Sequence, residues 1–474
     1  MSIKFLSSDI RILNMSTRMP FKYGIATLTR LPHLFLKIDF EIKGIKASGI
    51  SSEGLAPKWF TKNPHTSFEE DIQEMISVIQ HALKLTKKIG SAECVFSFWR
   101  RIYDEQSKWG RNNSIPPLLT SFGVSMVERA MISAFCKVSQ MPFHLSVKEL
   151  GFKLSEIYPE LDDSLLDKTL PEIPQDELEI RHTVGLADYL NEDEIPDGEK
   201  VSDGLAQSLE QNIKDYGIKK LKIKLFGNLE KDLKRLSQIS AVMEAYGQDY
   251  SFSLDGNEYF TSAEDFKKYW QELESLDKLK TFLRKLLFIE QPIHREFALN
   301  DETGRCFSTW KKRPLMIIDE SDGELHSAKR ALELGYSGTS HKNCKGVFKS
   351  IANACLVKSF SGILSAEDLC NVGPVALLED LAVVSALGIS HAERNGHQYM
   401  RGLSMFPNRI QKLVLNSHKD LYKSFDNFPA LKIVKGKVSL KSVNKAPFGF
   451  NADLDCSSFT ALKDWHFSSL NSSH

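Results

Sequence analysis

The feature of this sequence that most limits its fold is the alternation of short apolar runs with helical stretches in the second half of the chain. Alternation of strands and helices predicts a parallel sheet, and a series this long predicts a closed barrel. We therefore predict an α/β fold built on a (β/α) barrel. The runs lie at 221–225, 251–254, 286–289, 314–318, 336–340, 362–364 and 387–389.

Polar or ionisable residues accompany the end of each run. Successive members from different runs are between 23 (319 to 342) and 35 (255 to 290) residues apart, close to the repeat of about 30 residues in an eight-unit barrel. Because the chemistry of such barrels lies at the carboxyl ends of the strands, we expect these side chains to share one mouth. The series is Lys222, Lys224, Asp255, Asn257, Glu290, Asp319, Glu320, Lys342, Glu367, His391 and Glu393.

Three carboxylates, Asp255, Glu290 and Asp319, come from consecutive predicted strands. Glu290-Gln291-Pro292 and Asp319-Glu320-Ser321 each follow an apolar strand directly. A single carboxylate of this kind is more often an ion pair or a helix cap, but three at successive strand ends favour a metal site. Oxygen ligands alone suit a hard cation, and we predict Mg²⁺.

Lys222 and Lys224 are separated by one residue. Alternation along a strand places both ammonium groups on the same face. Two close cations lower each other's pKa and burial adds to the effect, so one lysine could serve as a neutral base. With Lys219 and Lys220 alongside, a solvated strand edge is the alternative.

The first third of the chain predicts a different architecture. Strands at 9–15 and 32–40 and a turn at Lys43-Gly44 favour an antiparallel meander. A helix is predicted to begin at Ser67, and a second helical region at 118–147. Residues 1–150 are thus expected to form an α+β domain, followed by an acidic linker or insertion at 151–180 and a strand within 181–188.

Composition excludes several classes of protein. Of 474 residues, 61 are basic and 61 acidic, so no net field favours a nucleic acid or a membrane surface. No apolar run approaches the roughly 18 residues of a membrane span, and the start lacks the apolar stretch of a signal peptide. The seven cysteines form no Cys-x-x-Cys pair, which argues against a disulfide framework. We expect a soluble, cytoplasmic protein with a small-molecule partner.

The order Lys222-x-Lys224, Asp255-x-Asn257, Glu290-Gln-Pro and Asp319-Glu-Ser resembles the enolase superfamily, in its mandelate racemase and muconate lactonizing enzyme group. Two further segments, 19–27 and 52–59, are similar to the mobile capping loops that shape the substrate in that family. Near the end, 431–438 resembles the segment that returns to the capping domain.

The resemblance implies a modified TIM barrel with an N-terminal α+β capping domain that the C-terminal segment completes. On this basis we expect the capping domain at 1–150, the linker at 151–180, the catalytic barrel at 181–415 and the returning segment at 416–474.

The resemblance also implies a mechanism. A substrate carboxylate binds Mg²⁺ held by Asp255, Glu290 and Asp319, and a base removes the proton α to that carboxylate. By position, Lys224 is the expected base, with Lys222 near the substrate carboxylate. Metal and lysine charges then stabilise the enolate.

Two predicted strands depart from the family pattern. On the sixth, a Lys or Asp is expected several residues before a Gly-Gly pair, but the segment 340–346 has one glycine. A strict count places Ser340 there, and a shorter turn places Lys342 there as a catalytic residue. A structural or phosphate-like binding role for Lys342 or Lys345 is the alternative. The seventh strand carries Glu367-Asp368 in place of the histidine of a His and Asp dyad.

The eighth strand end is dense in hydrogen-bonding groups, and we interpret His391 as an acid/base residue. The aromatic residues in the presumed loops fit core packing, ring stacking or an apolar substrate equally. Seven residues are predicted to bind substrate: Tyr23, Trp59, Asn257, Glu320, Glu367, Glu393 and Asn395.

These residues favour a Mg²⁺-dependent lyase or isomerase that forms an enolate from a hydroxy acid or acid sugar, by dehydration or by racemisation or epimerisation. A cycloisomerase or dipeptide epimerase is the first alternative, favoured if Lys342 faces Lys224 across the substrate. The second alternative is a non-catalytic carboxylate-binding protein on the same fold.

Overall fold

The first part of the chain forms an antiparallel sheet. The computed structural model describes residues 2–247 and 249–471. Three consecutive strands, β1 (Ile3–Tyr23), β2 (Ala26–Ile42) and β3 (Ile45–Gly54), pair in order. Lys43 and Gly44, both with positive φ, form the tight turn between β2 and β3, so the predicted meander is confirmed with longer strands than expected.

Helices pack on one face of this sheet. The first begins where predicted, because Ser67 caps it and forms a reciprocal capping box with Glu70. The predicted helix at 118–147 is two helices, and one further helix was not predicted. The elements are α1 (Phe68–Ile89), β4 (Ser91–Ala92), α2 (Val95–Asn112), α3 (Pro117–Ser139) and α4 (Phe143–Ser146).

Helix α3 is the core helix of this part. It lies so close to β3 that a Cβ on Gly49 would be 1.8 Å from the carbonyl oxygen of Ala130, so only glycine fits there. In the described part of the chain, α3 alone has the length and apolarity of a membrane span, and its apolar window is completely buried. Its apolar character is therefore explained by the core.

The second sheet contains the predicted alternation. Helices α6 to α14 lie between its strands in sequence, as expected for strand–helix units, whereas α5 precedes the first strand and α15 and α16 follow the last. The strands are β5 (Glu177–Val184), β6 (Lys220–Lys224), β7 (Ser251–Asp255), β8 (Leu286–Glu290), β9 (Met316–Ile318), β10 (Gly338–His341), β11 (Ile363–Ala366) and β12 (His391–Arg394). The helices are α5 (Leu165–Thr169), α6 (Leu209–Tyr216), α7 (Leu229–Ala245), α8 (Ala263–Ser275), α9 (Lys280–Leu283), α10 (Arg295–Ala298), α11 (Asp301–Thr309), α12 (Ser327–Leu334), α13 (Val347–Ser359), α14 (Ala376–Ala386), α15 (Gly396–Tyr399) and α16 (Asn408–Ser417).

The order of strands in this sheet is β11-β10-β9-β8-β7-β6-β5-β12, and all these neighbours are parallel. The two end strands, β11 and β12, are in contact, although no ladder of hydrogen bonds joins them within the described residues. The sheet is therefore strongly curled, and its carboxyl ends point to a common region.

Two strand positions differ from the predictions. The apolar run 387–389 is the turn that follows α14, and the strand is the more polar His391–Arg394. The first strand of this sheet is Glu177–Val184, not a strand beginning at 181. In β12 a polar segment forms the strand because its neighbours in the sheet, and not its own sequence pattern, set its position. In β5 the buried Leu178, Ile180 and Val184 alternate with polar residues, so its sequence does carry a strand pattern.

The C-terminal segment contacts both sheets. Contrary to the expectation for 431–438, it is β15 (Lys437–Ser439) that pairs antiparallel with β5, in the second sheet. The pairing with the first sheet comes later, where β16 (Thr460–Ala461) lies against β1. The other elements here are β13 (Tyr422–Phe425) and β14 (Phe428–Leu431), which form a hairpin, and α17 (Lys441–Lys445).

The two sheets share one apolar core that runs from β1 to the C-terminal segment. A buried ion pair between Arg18, in β1, and Asp203 joins them, with the two groups 2.7 Å apart. The same guanidinium donates to the backbone carbonyl oxygens of Ala206 and Gln398. The tip of the first sheet is thereby fixed over the carboxyl ends of the second.

Candidate active site

The carboxyl ends of β6, β7 and β8 lie level with one another. In the sheet register Lys224 is opposite Asp255, and Asp255 is opposite Glu290. Asp319 follows the last residue of β9, and Lys342 follows the last residue of β10. Residues that are up to 118 positions apart in the sequence (224 to 342) are thus brought to one mouth.

Lys222 lies at the centre of this mouth and is almost completely buried. One ammonium group therefore holds side chains from β6, β7, β8, β11 and β12 together. Its Nζ lies 2.8–3.2 Å from oxygens of four carboxylates: Asp255, Glu290, Glu367 and Glu393. We call Lys222, Lys224, Lys342 and the carboxylates Asp255, Glu290 and Asp319 the mouth cluster.

Glu367 and Glu393 are also held from the first strand of the sheet. Glu367 is ion-paired with Arg181, and Glu393 accepts a hydrogen bond of 2.6 Å from the hydroxyl of Thr183. Because Arg181 and Thr183 are two residues apart on β5, both point to the same face. These contacts fix the two glutamates on either side of Lys222.

Asp319 is held by the opposite side of the sheet. It pairs with Lys342, and its Oδ1 lies 2.7 Å from the ammonium of Lys345. The hydroxyl of Ser340 donates to the same carboxylate over 2.6 Å. The ammonium of Lys342 also lies 4.8 Å from the ring centroid of Trp59, which places an aromatic face of the first sheet over it.

Lys224 is the more accessible lysine of the Lys-x-Lys pair. Its side chain is 10% exposed, against 2% for Lys222. It pairs with Asp255 and lies 3.3 Å from Oδ1 of Asn257. Lys224 therefore presents its ammonium to the open space of the mouth, whereas Lys222 is enclosed.

The charge states differ from the prediction. Burial alone would lower the pKa of Lys222, but Glu290, Glu367 and Glu393 together raise it well above its ordinary value. The pKa of Lys224 is likewise raised, because Asp255 outweighs both burial and the repulsion from Lys222. In this arrangement the pKa of both lysines is raised, not lowered as predicted, because carboxylates from other strands reach Lys222 and Lys224.

The crowding of carboxylates in the mouth raises the pKa of two of them, Glu290 and Glu320. Burial, and then the neighbouring Glu367, raise the pKa of Glu290 well above its ordinary value. Burial, together with the charge of Asp319, raises the pKa of Glu320 to about 7. By contrast, Lys342 and Lys345 hold the pKa of Asp319 well below its usual range despite its burial. The surroundings therefore shift the pKa of the carboxyl groups in the mouth in opposite directions.

A cavity of about 50 Å³ opens above the mouth cluster. Glu290 and Glu367 are fully buried and contact Lys222 instead of lining it. The residues predicted as site residues that do line it are Tyr23, Trp59, Lys222, Lys224, Asp255, Asn257, Asp319, Glu320, Lys342, Glu393 and Asn395.

The prediction for His391 is wrong. It is the first residue of β12, so it lies at the amino end of the strand, away from the mouth. Its Nδ1 is 3.0 Å from Nη1 of Arg181, and burial lowers its pKa to about 3. His391 therefore supports Arg181 from beneath and does not line the cavity. The cause of the error is the misplaced strand at 387–389.

The first sheet closes the cavity with apolar side chains. Phe21 stacks on Tyr399 with ring centroids 4.0 Å apart. The hydroxyl of Tyr23 donates to the carbonyl oxygen of Pro57 over 2.7 Å, which joins the two segments predicted as capping loops. Leu28, Ala56 and Trp59 complete this side of the cavity.

Sequence reasoning missed a clamp on the second of these segments. Arg295 donates to the carbonyl oxygens of Trp59 and Phe60 over 3.0 and 2.7 Å. Its guanidinium is fixed by two hydrogen bonds of 2.7 Å to the carboxylate of Glu258. Nothing in the local sequence signals this pair, because its role depends on a segment more than 200 residues away.

Other residues were also missed. Asp368, Leu369 and Cys370 line the cavity from the segment after β11. Arg181 was part of a predicted strand but carried no predicted role. The alternation of Arg181 and Thr183 on one face of β5 is the signal that could have placed them.

The predicted Mg²⁺ ligands meet at the mouth, but each is paired with a lysine here. Among residues 2–247 and 249–471, no group of three His, Cys, Asp or Glu side chains is arranged to hold a metal ion. Two observations nevertheless fit a hard cation. The donors are all carboxylates, and the buried Oε2 of Glu290 has no hydrogen-bond partner among the described residues. The residue types fit Mg²⁺, and a bound ion would replace ammonium contacts.

Comparison by sequence identifies no relative. The chain matches no protein-family profile and no curated protein sequence.

Comparison by structure finds many similar folds. Muconate lactonizing enzyme from Pseudomonas fluorescens, complexed with muconolactone, is 15% identical with a TM-score of 0.60, over 96% of this chain and 99% of that one. An enolase from Bradyrhizobium, complexed with magnesium and mandelic acid, is 12% identical with a TM-score of 0.57, over 93% and 94%. A dipeptide epimerase from Enterococcus faecalis, complexed with Mg and L-Leu-L-Tyr, is 16% identical with a TM-score of 0.56, over 82% and 90%.

At this level of identity the likeness shows the fold. The chain has the fold of the mandelate racemase and muconate lactonizing enzyme group of the enolase superfamily, over nearly its full length. The resemblance predicted from the strand-end motifs is confirmed to that extent.

Proposed function

We propose that this protein is a Mg²⁺-dependent isomerase or lyase of the enolase superfamily that removes the proton α to a substrate carboxylate. One observation carries the proposal: Lys224 and Lys342 line one cavity together with Asp255 and Asp319, at the carboxyl ends of the sheet. A fold shared with racemases and cycloisomerases supports this chemistry but does not by itself establish it.

The architecture supports this assignment. We take the curled sheet as a (β/α) barrel of the modified TIM type, with its first strand at β5. The antiparallel sheet and helices α1 to α4 would form the capping domain, which β16 completes. The site then lies between the two, where Tyr23 and Trp59 face the strand ends.

Asp255, Glu290 and Asp319 would hold the metal ion. When bound, Mg²⁺ would polarise the substrate carboxylate and stabilise negative charge that develops on it. The chain's own contribution is positioning: Lys222 fixes Asp255 and Glu290, and Lys345 with Ser340 fixes Asp319. These contacts preorganise the site electrostatically before a substrate enters.

Lys224 and Lys342 are on opposite sides of the mouth. Strands β6 and β10 are separated by three strands in the curled sheet, so Lys224 and Lys342 approach a bound ligand from different directions. Two bases on opposite faces of an α-carbon are what racemisation or epimerisation requires. This placement favours those reactions, or cycloisomerisation, over dehydration.

The capping side favours an apolar substituent on the substrate. The hydroxyl of Tyr23 is bonded to Pro57, and the ammonium of Lys58 is bonded to the carbonyl oxygen of Asn63 and the side chain of Asp71. Phe21, Leu28 and Trp59 supply apolar surface. We therefore propose a small carboxylate with an alkyl or aromatic group in preference to an acid sugar.

The test is exchange of the α-proton in D₂O with Mg²⁺, followed by NMR over a panel of hydroxy acids, acid sugars, aryl carboxylates and dipeptides. We expect exchange with at least one compound and its loss in Lys224→Ala. Lys220→Ala is the matched control, because Lys220 is at the amino end of the same strand and bonds Ser251.

The alternative is a non-catalytic carboxylate-binding protein. Its prediction is Mg²⁺-dependent binding of a carboxylate without exchange, in the wild type and in Lys224→Ala alike. That outcome would overturn the enzymatic proposal.

A further inference from the structure

A second cavity lies beside the candidate active site, between the end of β12 and the hairpin of β13 and β14. We call it the side cavity. Six polar side chains line it, and each is more than nine-tenths buried: Tyr216, Asp368, Asn371, Arg394, His397 and Tyr422. It shares Asp368 with the first cavity, but the proposed reaction uses none of these six residues.

The polar atoms around the side cavity are unusually poorly paired. Nε and Nη2 of Arg394, Oδ1 of Asn371, Nδ1 of His397 and the hydroxyl of Tyr422 have no hydrogen-bond partner in the described chain. Buried polar groups are nearly always satisfied by protein, water or a ligand. Five such atoms around one cavity exceed what a single buried water, with about three hydrogen bonds, can satisfy.

Arg394 shows what kind of ligand would fit. Its Nη1 is used, because it lies 2.5 Å from Asp380 and 3.4 Å from Asp368. The remaining edge, Nε and Nη2, is the one that donates two parallel hydrogen bonds to a planar oxyanion. The hydroxyl of Tyr422 supplies a third donor on the same cavity.

We propose that the side cavity binds a small planar oxyanion, a carboxylate of one or two carbons or bicarbonate, on the free edge of Arg394 and the hydroxyl of Tyr422.

The size of the cavity limits the ligand to a few atoms. Its volume is about 20 Å³, little more than the roughly 10–15 Å³ that one water-sized group needs. The walls are otherwise apolar, with Met400, Leu403 and Ala430 among them. An anion in this place is therefore desolvated, and its charge faces a guanidinium that Asp380 and Asp368 already contact.

A hydrogen-bond acceptor that belongs to a lining residue, Oδ1 of Asn371, distinguishes bicarbonate from a small carboxylate as the bound oxyanion. Oδ1 of Asn371 is unpaired and requires a donor. Bicarbonate carries an O–H that can donate to it, whereas formate and acetate carry none. We therefore expect bicarbonate to bind more tightly than formate at the same pH.

The experiment is calorimetric titration of the full chain with sodium formate and with sodium bicarbonate. It is run in a Lys224→Ala background, which removes the most exposed ammonium group of the mouth cluster from the first cavity so that anion binding there does not obscure the result. We expect one bound anion per chain in this background. Tyr422→Phe should weaken it about five-fold, the effect of one hydrogen bond, and Ala430→Leu should abolish it by filling the cavity.

Tyr246→Phe is the matched control, because its hydroxyl bonds Glu210 away from this cavity, and its affinity should be unchanged. Crystals soaked in sodium bromide provide a second, direct readout, with an anomalous peak expected beside Nε and Nη2 of Arg394. Two results would overturn the proposal: equal anion affinity in Tyr422→Phe, Ala430→Leu and the parent, or a cavity that contains only water in the presence of bromide.

Discussion

Two buried lysine–carboxylate clusters lie at the second sheet and the helices around it, and they differ in what their charged atoms face. In the cluster behind β10, Asp322 pairs with Lys349 over 2.9 Å and accepts hydrogen bonds from Thr339 and Asn353. None of these residues lines the cavity above the mouth. In the mouth cluster, Lys222, Lys224 and Lys342 all line that cavity. A buried ion pair alone therefore does not identify a functional site. What distinguishes the mouth cluster is that its charged groups line a cavity.

The largest expected effect comes from removing the central cation of the mouth cluster. Lys222→Met leaves several buried carboxylates without their partner, and breaking a buried pair costs about 3–5 kcal/mol of the free energy of unfolding. If these carboxylates form a cation site, added Mg²⁺ should restore much of the loss, because an ion that binds only the native state stabilises it. Chemical denaturation with and without Mg²⁺ measures both effects.

The cluster behind β10 should behave differently. Lys349→Met also breaks a buried pair, and we expect a loss of about 3 kcal/mol, but Mg²⁺ should give no recovery. Lys329→Ala is the surface control, since its pair with Glu160 is partly exposed and is worth about 1 kcal/mol or less. If Mg²⁺ restored the free energy of unfolding equally in Lys222→Met and Lys349→Met, the proposed difference between the two clusters would be wrong.

A third prediction concerns how the buried carboxyl group of Glu128, which lies outside both clusters, makes the stability of the protein depend on pH. Burial raises the pKa of Glu128, whose carboxylate accepts from the amide of Phe348 at the start of α13, to about 7. Because the folded chain holds this proton more tightly than the unfolded one, the contribution of Glu128 to stability is full below about pH 4.5 and falls as the pH rises to 7.

Glu128→Gln should therefore be stabler relative to the wild type at pH 8 than at pH 4.5, by up to about 3 kcal/mol. Urea denaturation of both proteins at the two pH values measures this difference. A constant difference between them would show that Glu128 is ionised throughout or that its pKa is ordinary.

The smallest effect is expected at the capping side. Tyr23→Phe removes one buried hydrogen bond, to Pro57, and should cost about 1 kcal/mol of stability. For an active substrate, KM should rise a few-fold while kcat changes less. The reason is that the substitution removes the bond between the segments 19–27 and 52–59 but leaves the lysines in place. Tyr189→Phe, whose hydroxyl bonds Glu199, is the control. A large loss of kcat in Tyr23→Phe would place this hydroxyl in the chemistry.

The sequence predicted the position of a polar residue correctly where that residue directly follows an apolar strand. Asp255, Glu290 and Asp319 each follow an apolar strand directly, and the structure brings them to one mouth. The prediction of the eighth strand failed, because its own residues, His391 to Arg394, are mostly polar, while the apolar run before it is the turn after α14. Periodicity finds strands buried on both faces more easily than short polar ones.

Charge state and closure could not be predicted from local sequence. The raised pKa of Lys222 depends on Glu367 and Glu393, which are more than 140 residues from it. The clamp of Arg295 on the segment at Trp59 joins positions even farther apart. Such effects follow from the sum of tertiary contacts, which one sequence does not reveal.

The central claim is that Lys224 and Lys342 act on one α-carbon from opposite faces. The direct measurement is α-proton exchange in D₂O with each enantiomer of an active substrate separately, in Lys224→Ala and in Lys342→Ala. We expect each variant to lose exchange with one enantiomer, by about 10²- to 10⁴-fold, and to retain it with the other. Equal loss with both enantiomers in both variants, or no loss in Lys342→Ala, would contradict the claim.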